Sequence, residues 1–202
     1  MPRVAAALIA LVCWIALGVR FSVSYDHIHR VVGTVWVLAR YFTLIANFLM
    51  AIEMTMLALG ARISAFRLGG LTIAMILVGV VYAVLLENTF HDTGAALFAS
   101  HMMHRFAPIA MTLFWVIFVP HGRLRWNAPL WWSVLPLTYF AYAIIRGLIT
   151  HKYPYPFMNV GKIGAGATAL NAAAIAAAFI VSGCAMVWLD HRRLLGRDRA
   201  SG

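Results

Sequence analysis

A threonine and a histidine at the starts of two apolar segments are the residues whose types could perform chemistry together in this chain. Thr43 lies near the start of the second apolar segment, and His101-Met-Met-His104 opens the fourth. A threonine hydroxyl becomes a nucleophile when a base takes its proton, and histidine does this near neutral pH. Because polar groups are costly in hydrocarbon without a partner or a wet cavity, they suggest a site.

Polar residues also form stripes on these two predicted helices, since residues three, four or seven apart share one helix face. The stripe on the second helix is Arg40, Thr43 and Asn47, and the stripe on the fourth is His101, His104, Pro108, Thr112 and Trp115. Proline at 108 removes a backbone donor and leaves a carbonyl available beside His104. The alternative interpretation is local: Thr43 bonds back to its own helix and His101 is an interfacial residue.

The fifth apolar segment carries an arginine that needs a partner at its depth. Tyr139, Tyr142 and Arg146 lie along one broad face of this segment. Arg146 either pairs with Glu87, the acidic residue of best matching depth, or binds a carboxylate or phosphate headgroup. The following loop, Tyr153-Pro-Tyr-Pro-Phe157, is either a lid over the site or part of an aromatic belt, which makes Tyr155 and Phe157 candidate supporting residues.

The elements that must position these residues are membrane helices. Of the 202 residues, 63% are hydrophobic and 11% are charged, whereas soluble domains carry about 25% charged residues. Segments long enough to cross a bilayer lie at about 4–19, 36–59, 71–86, 103–119, 130–150 and 165–189. We therefore predict an all-α membrane protein: one six-helix transmembrane domain over 1–202, with a short basic tail at 190–202.

The distribution of basic residues predicts the orientation of these helices. Most arginines lie at the termini and in the even-numbered loops, which places both termini in the cytoplasm. Most of the histidines, with Thr43, then lie toward the outer side of what is expected to be a bacterial cytoplasmic (inner) membrane. The net charge of +10 does not indicate nucleic-acid binding, because the basic residues lie singly in short loops and in the tail.

Two other chemistries remain open at the level of residues. A metal-dependent hydrolase would draw its ligands from outer-face residues: His91, Asp92, His101, His104 and His151. Their spacing matches no strong zinc motif, and the chain has no GxSxG or HExxH sequence, so neither a metal nor another cofactor is expected. The other alternative is a small transporter or lipid-binding membrane protein without catalysis, with Arg146, Glu87 and the tyrosines along its substrate path.

Five short motifs in this order resemble one family. They are Arg40-Tyr-Phe-Thr-Leu-Ile-Ala-Asn47, Gly79-Val-Val-Tyr82, His104-Arg-Phe-Ala-Pro108, Pro136-Leu-Thr-Tyr139 followed by Tyr142 and Arg146-Gly147, and Tyr153-Pro-Tyr-Pro-Phe157. The set resembles the bacterial predicted six-transmembrane (Pr-six-Pr) family, which is related to the androgen-induced and androgen-dependent membrane proteins of animals. The resemblance covers nearly the whole chain through the order and spacing of the motifs.

The resemblance implies a threonine hydrolase. Animal members cleave fatty acid esters of hydroxy fatty acids, and their threonine and histidine correspond to Thr43 and His104. This sequence departs from the animal pattern by one residue between His104 and Pro108, and Arg105 stands where bacterial members often have a second histidine. The prediction is a hydrolase of lipid-like, fatty-acyl esters near the outer membrane face, with membrane lipid and ester as its partners.

Overall fold

The computed structural model of the chain describes residues 1–87, 89 and 92–200, with 193–200 described by their helical backbone alone. Every regular element in this part of the chain is helical, so the all-α prediction is confirmed. The helices form two compact units, Met1–Pro120 and His121–Gly202. Thr43 and His104 belong to the first unit, and Arg146 belongs to the second.

Six helices in chain order build the first unit. They are α1 (Pro2–Ile28), α2 (Val31–Leu38), α3 (Phe42–Ala58), α4 (Ala65–Val81), α5 (Gly94–His101) and α6 (Ala107–Phe118). Two wider π turns extend them, Tyr82–Leu86 after α4 and Met102–Phe106 between α5 and α6. Helix α1 has 27 residues and continues well beyond the predicted segment 4–19.

The predicted second segment, 36–59, is not one helix. It is divided into α2 and α3, whose axes are bent by 103°, and Tyr41 between them has an extended backbone (φ −99°, ψ 127°). The segment contains neither glycine nor proline, so no helix-breaking residue announces the bend. As a result Arg40 precedes α3, and the predicted stripe on one face keeps only Thr43 and Asn47.

The helices are apolar enough for a membrane. In the described part of the chain, four helical segments are long and apolar enough to cross it: Pro2–Ile28, Ala65–Leu86, Ala128–Thr150 and Val160–Arg192. The bent pair Val31–Leu38 and Phe42–Ala58 brings the number to five if it is one span. The helical stretch 94–118 is not among them, because His101, His104 and Arg105 in its interior lower its mean hydropathy. The described residues thus contain four or five candidate membrane-spanning helices, which are compatible with an integral membrane protein.

Close approach between α4 and α6 depends on a glycine. A Cβ added at Gly79 would lie 3.1 Å from the Cβ of Pro108 and 3.5 Å from the carbonyl oxygen of His104. Contacts of about 3 Å between carbon atoms are tighter than van der Waals packing allows. Glycine at 79 therefore lets the backbone of α4 pack directly against the turn that carries His104.

The second unit contains α7 (Ala128–Trp132), α8 (Val134–Thr150), a 3₁₀ turn (Pro156–Met158) and α9 (Val160–Ala200). Helix α9 is interrupted at Gly164, whose φ of 80° and ψ of 161° are not helical. The loop before α7 is held to α9 by Asp190, which is 0% exposed. Its carboxylate accepts the Leu124 N–H at 3.0 Å and lies 3.2 Å from Nδ1 of His121.

Replacing Asp190 by alanine is expected to destabilise the protein by about 3 kcal/mol, because the change leaves a buried amide without its acceptor and removes the partner of His121. The thermal unfolding midpoint of the purified protein measures this loss. Asp26, which is exposed in the first unit, provides the control, and Asp26→Ala should leave the midpoint unchanged. Equal midpoints for both variants would contradict the assigned role of Asp190.

Candidate functional site

Thr43 differs from the other helical threonines of the described chain. Eight other threonines donate their hydroxyl to the carbonyl four residues earlier. Thr43 makes no such bond, because α3 begins at Phe42 and no helical turn precedes it. The side chain is nonetheless buried, at 5% exposure. The local interpretation, in which this hydroxyl bonds back to its own helix, is therefore wrong.

The hydrogen bonds of His104 determine which of its ring nitrogens carries hydrogen. Nδ1 lies 2.9 Å from the carbonyl oxygen of Ser100, and a carbonyl can only accept, so Nδ1 is the donor. In the neutral ring Nε2 then holds a lone pair, which is the tautomer that a general base requires. The ring stacks on Tyr82 with centroids 4.2 Å apart and planes at 17°. These contacts orient Nε2 as a proton acceptor.

One buried side chain joins the two elements that carry Thr43 and His104. The amide nitrogen of Asn47 donates to the carbonyl of Thr43 at 2.9 Å and to the carbonyl of Met103 at 3.3 Å. Asn47 is 0% exposed, and its Oδ1 has no hydrogen-bond partner in the described part of the chain. Since both amide hydrogens are used, Asn47 is a bridge between the two elements and has no hydrogen left to donate to an oxyanion.

Proline at 108 explains the wide turn in which His104 lies. Pro108 has no N–H, so the usual bond to the carbonyl of residue 104 cannot form. The backbone instead makes a π turn over Met102–Phe106, in which the N–H of Ala107 bonds to the carbonyl of Met102. Such turns are frequent at functional sites. The missing backbone hydrogen bond that Pro108 predicts beside His104 is thus accompanied by a π turn.

Two ion pairs of the first unit involve residues from the ends of its helices. Glu87 accepts a hydrogen bond from Arg105, and Arg20 lies 3.1 Å from Asp92. Glu87 was expected to pair with Arg146, but its partner is Arg105. The sequence did not single out Arg20 as a candidate site residue.

Ser100 and Tyr82 are the other contributors to the site that sequence reasoning did not single out. Ser100 lies four residues before His104, so helical spacing could have identified its carbonyl and its hydroxyl, which is 3.3 Å from Nδ1. Tyr82 occurred only within a motif, and nothing in the sequence signals that its ring stacks on His104. His101 remains partly exposed at the end of α5.

The candidate residues of the second unit make contacts within two groups, one on α8 and one in the loop that follows it. Arg146 is 4% exposed and donates to the hydroxyl of Tyr142 at 2.5 Å. The ring of Tyr139 lies 6.3 Å from that of Tyr142, and the rings of Tyr155 and Phe157 stack at 5.2 Å.

The aromatic loop of the second unit is attached to both of its long helices. A Cβ added at Gly147 would lie 2.3 Å from the ring of Tyr153, so this loop residue packs directly on α8. Asn171 of α9 donates to the carbonyl of Phe157 at 3.1 Å.

A ligand set for a metal ion does not appear in the described residues. No group of three histidine, cysteine, aspartate or glutamate side chains there is close enough to hold one. His91, one of the candidate ligands, lies outside the described residues. Asp92 pairs with Arg20, and Nδ1 of His104 is bonded to Ser100. Geometry therefore gives the metal-dependent alternative no support.

Comparison of the chain with protein-family models, with curated proteins and with solved structures finds no match. The functional interpretation therefore depends on the chemistry of Thr43, His104 and Asn47 and on the elements that hold them.

Proposed function

We propose that this protein is a membrane-embedded hydrolase of lipid-like esters, with Thr43 as nucleophile and His104 as general base. The observation that carries the proposal is the Asn47 amide, which bonds both to Thr43 and to the residue before His104. Asn47 therefore joins α3, in which the Thr43 hydroxyl is not bonded to its own helix, to the π turn that carries His104. Nε2 of that histidine is a hydrogen-bond acceptor. A nucleophile, a base and groups that orient the base are the parts that acyl transfer requires.

The proposed reaction has two balanced steps. Oγ1 of Thr43 attacks the ester carbonyl while Nε2 of His104 takes the hydroxyl proton, and the tetrahedral intermediate collapses when the alcohol leaves with that proton. Water then attacks the acyl-threonine, and His104 takes a proton from the water and returns it to Oγ1. The carboxylic acid is released and the free enzyme is restored.

The start of α3 supplies a donor for the oxyanion. The amides of Leu44 and Ile45 bond to the carbonyl of Tyr41, whereas the amide of Thr43 makes no hydrogen bond to a described residue. An N–H group at a helix N-terminus carries partial positive charge, which favours an anion there. We assign the Thr43 amide this role, and Arg40 the binding of an acidic headgroup.

We further propose the six-span topology, with both termini in the cytoplasm of a bacterium and the site near the outer face of its inner membrane. The helical stretch 94–118 is longer than the roughly 20 residues that a span needs, which supports a sixth span. The excess of arginine at the termini and in the even-numbered loops supports this orientation. Membership of the predicted six-transmembrane family is part of the same proposal.

Labelling with a fluorophosphonate tests the proposed nucleophile. An activated hydroxyl displaces fluoride from the probe and becomes a phosphonate ester, which mass spectrometry of the digested protein assigns to a residue. We expect the label on Thr43 and none on Thr43→Ala. Thr72→Val is the matched control, because Thr72 is a buried threonine whose hydroxyl bonds to Leu68, and it should label normally. An unlabelled protein, or a label elsewhere, would contradict the assignment.

Lipid binding or transport without catalysis is the second candidate function. It is favoured by an apolar groove of about 450 Å³ between α1, α2 and α3, because such a groove accepts hydrocarbon whether or not an ester is cleaved. The same labelling experiment distinguishes the two functions. A protein that only binds or transports lipid does not need an activated Thr43 hydroxyl, so the probe should not label it.

A further inference from the structure

The two candidate membrane-spanning segments of the second unit begin and end at one edge of the membrane. They are Ala128–Thr150 and Val160–Arg192, and the short loop 151–159 between them makes them run in opposite directions. The start of the first segment and the end of the second therefore lie at the same side. Residues 121–127 and 188–192 are thus at the level of the lipid headgroups.

A buried carboxylate attaches these two stretches of chain to each other. Asp190 of α9 accepts the Leu124 N–H at 3.0 Å and lies 3.2 Å from Nδ1 of His121. Leu124 is buried, whereas its neighbours Arg123 and Arg125 are exposed. The attachment of the backbone at Leu124 therefore holds two arginines on the surface next to the end of α9.

Two tryptophans hold the basic side chains at the end of the second segment. The guanidinium carbon of Arg192 lies 4.2 Å from the centroid of the Trp188 ring, which is a cation–π contact. The ring of His191 stacks on Trp126 with centroids 5.5 Å apart and planes at 4°. Trp126 and Trp188 are 60% and 44% exposed, and exposed tryptophans favour the headgroup region of a membrane. The rings thus fix a guanidinium and an imidazole at this edge.

The positive charge at this edge is not neutralised by the described residues. Asp190 is the one acidic residue in the sequence between 121 and 192, and it is buried and already bonded to the loop. Arg123, Arg125 and Arg192 form no ion pair in the described part of the chain. Exposed guanidinium groups without a carboxylate favour an anion that lies at the same level of the membrane, and guanidinium matches the geometry of phosphate.

We propose that the exposed arginines and tryptophans at this edge bind the phosphate headgroup of an anionic phospholipid. This anionic-lipid surface consists of Arg123, Arg125, Trp126, Trp188 and Arg192. The guanidinium groups bind the phosphate oxygens, and the indole rings contact the glycerol region. Phosphatidylglycerol is preferred to phosphatidylcholine, because the choline group of the latter carries a positive charge that the arginines repel. The surface is independent of the proposed hydrolase function.

Lipid titrations test this inference. Native mass spectrometry of the purified protein in detergent measures the Kd of the first bound phosphatidylglycerol and, separately, of the first bound phosphatidylcholine. An arginine near the membrane surface contributes about fivefold to the binding of anionic lipid. We therefore expect the parent protein to prefer phosphatidylglycerol by about a hundredfold. The double variant Arg125→Gln/Arg192→Gln should weaken phosphatidylglycerol binding by roughly 25-fold and leave phosphatidylcholine binding within about twofold.

Two further variants distinguish a local surface from general charge. Trp188→Leu keeps the charge of Arg192 but removes the ring that holds it, and it should weaken phosphatidylglycerol binding by about threefold. The matched control is Arg3→Gln/Arg62→Gln, which removes two exposed arginines of the first unit. The proposed topology places both at the same membrane face, and their loss should change the Kd of either lipid by less than about twofold.

Two results would overturn the proposal. One is equal affinity of the parent protein for the two lipids, which needs no variant and so decides the matter even if a variant does not fold. The other is a loss of phosphatidylglycerol binding in Arg3→Gln/Arg62→Gln as large as in Arg125→Gln/Arg192→Gln, because that result indicates general surface charge. None of these measurements involves ester hydrolysis, so the anionic-lipid surface and the hydrolase function are tested separately.

Discussion

Replacing Thr43 by alanine, and separately His104 by alanine, is expected to lower kcat for a short-chain ester by at least about a thousandfold. A positioned general base contributes roughly 10²–10⁴-fold, and removal of the nucleophile abolishes the covalent route. Because the two residues act as a unit, the double variant should be no slower than the single variants. Steady-state kinetics on purified protein measures all three.

Matched substitutions distinguish lost chemistry from lost folding. Thr43→Ser keeps the hydroxyl and should retain measurable turnover, whereas Thr72→Val removes a buried hydroxyl remote from the proposed chemistry and should retain the parental kcat. The unfolding midpoints of Thr43→Ala and Thr43→Ser should be similar to that of the parent protein, since Thr43 makes no side-chain hydrogen bond to a described residue. Turnover above about a tenth of the parental value in either alanine variant would contradict the proposed pair.

Replacing Asn47 by leucine is expected to lower kcat by about a hundredfold while KM for the same ester stays within about twofold. Leucine has a similar volume but cannot donate to the carbonyls of Thr43 and Met103, which Asn47 now holds at 2.9 and 3.3 Å. A displacement of about 1 Å between reacting groups is enough for an effect of this size. Asn47 thus acts as a positioning residue, and the split between kcat and KM is its signature.

Met50→Ala is the control for a loss of kcat that is caused only by destabilisation of α3. Met50 lies about one turn deeper in the same helix and is also 0% exposed. Its truncation should cost about 2–5 kcal/mol but leave the Asn47 bridge intact, so kcat should change little. If Met50→Ala and Asn47→Leu reduce kcat equally at equal loss of stability, the role of Asn47 is only structural.

Some local properties of the chain could be read from its residues. The high apolar content and the length of the apolar runs predicted membrane helices, and the structure confirms this in outline. The proline at 108 predicted a disturbed backbone next to His104, and a π turn is present there. Both predictions succeed because they depend on local chemistry: the cost of exposing apolar surface, and a missing N–H group.

Other features were beyond the reach of the sequence. The bend of 103° between α2 and α3 falls within an apolar run without glycine or proline, so hydropathy alone predicts an unbroken helix. The partner of Glu87 was misassigned because depth along a helix does not specify which way a side chain points. In the structure Arg105 is the partner.

The sequence by itself determined that the helices are apolar enough for a membrane and which residue types are available for chemistry, since hydropathy and charge are properties of each residue and its neighbours. Only the tertiary structure decided which groups are engaged and which are left to react. The hydroxyl of Thr43 is not bonded to its own helix because α3 begins one residue before it. Nε2 of His104 is an acceptor because Nδ1 carries the hydrogen and donates it in a hydrogen bond to the Ser100 carbonyl. Asn47 links their elements across distant parts of the chain, and such contacts depend on packing that no local pattern encodes.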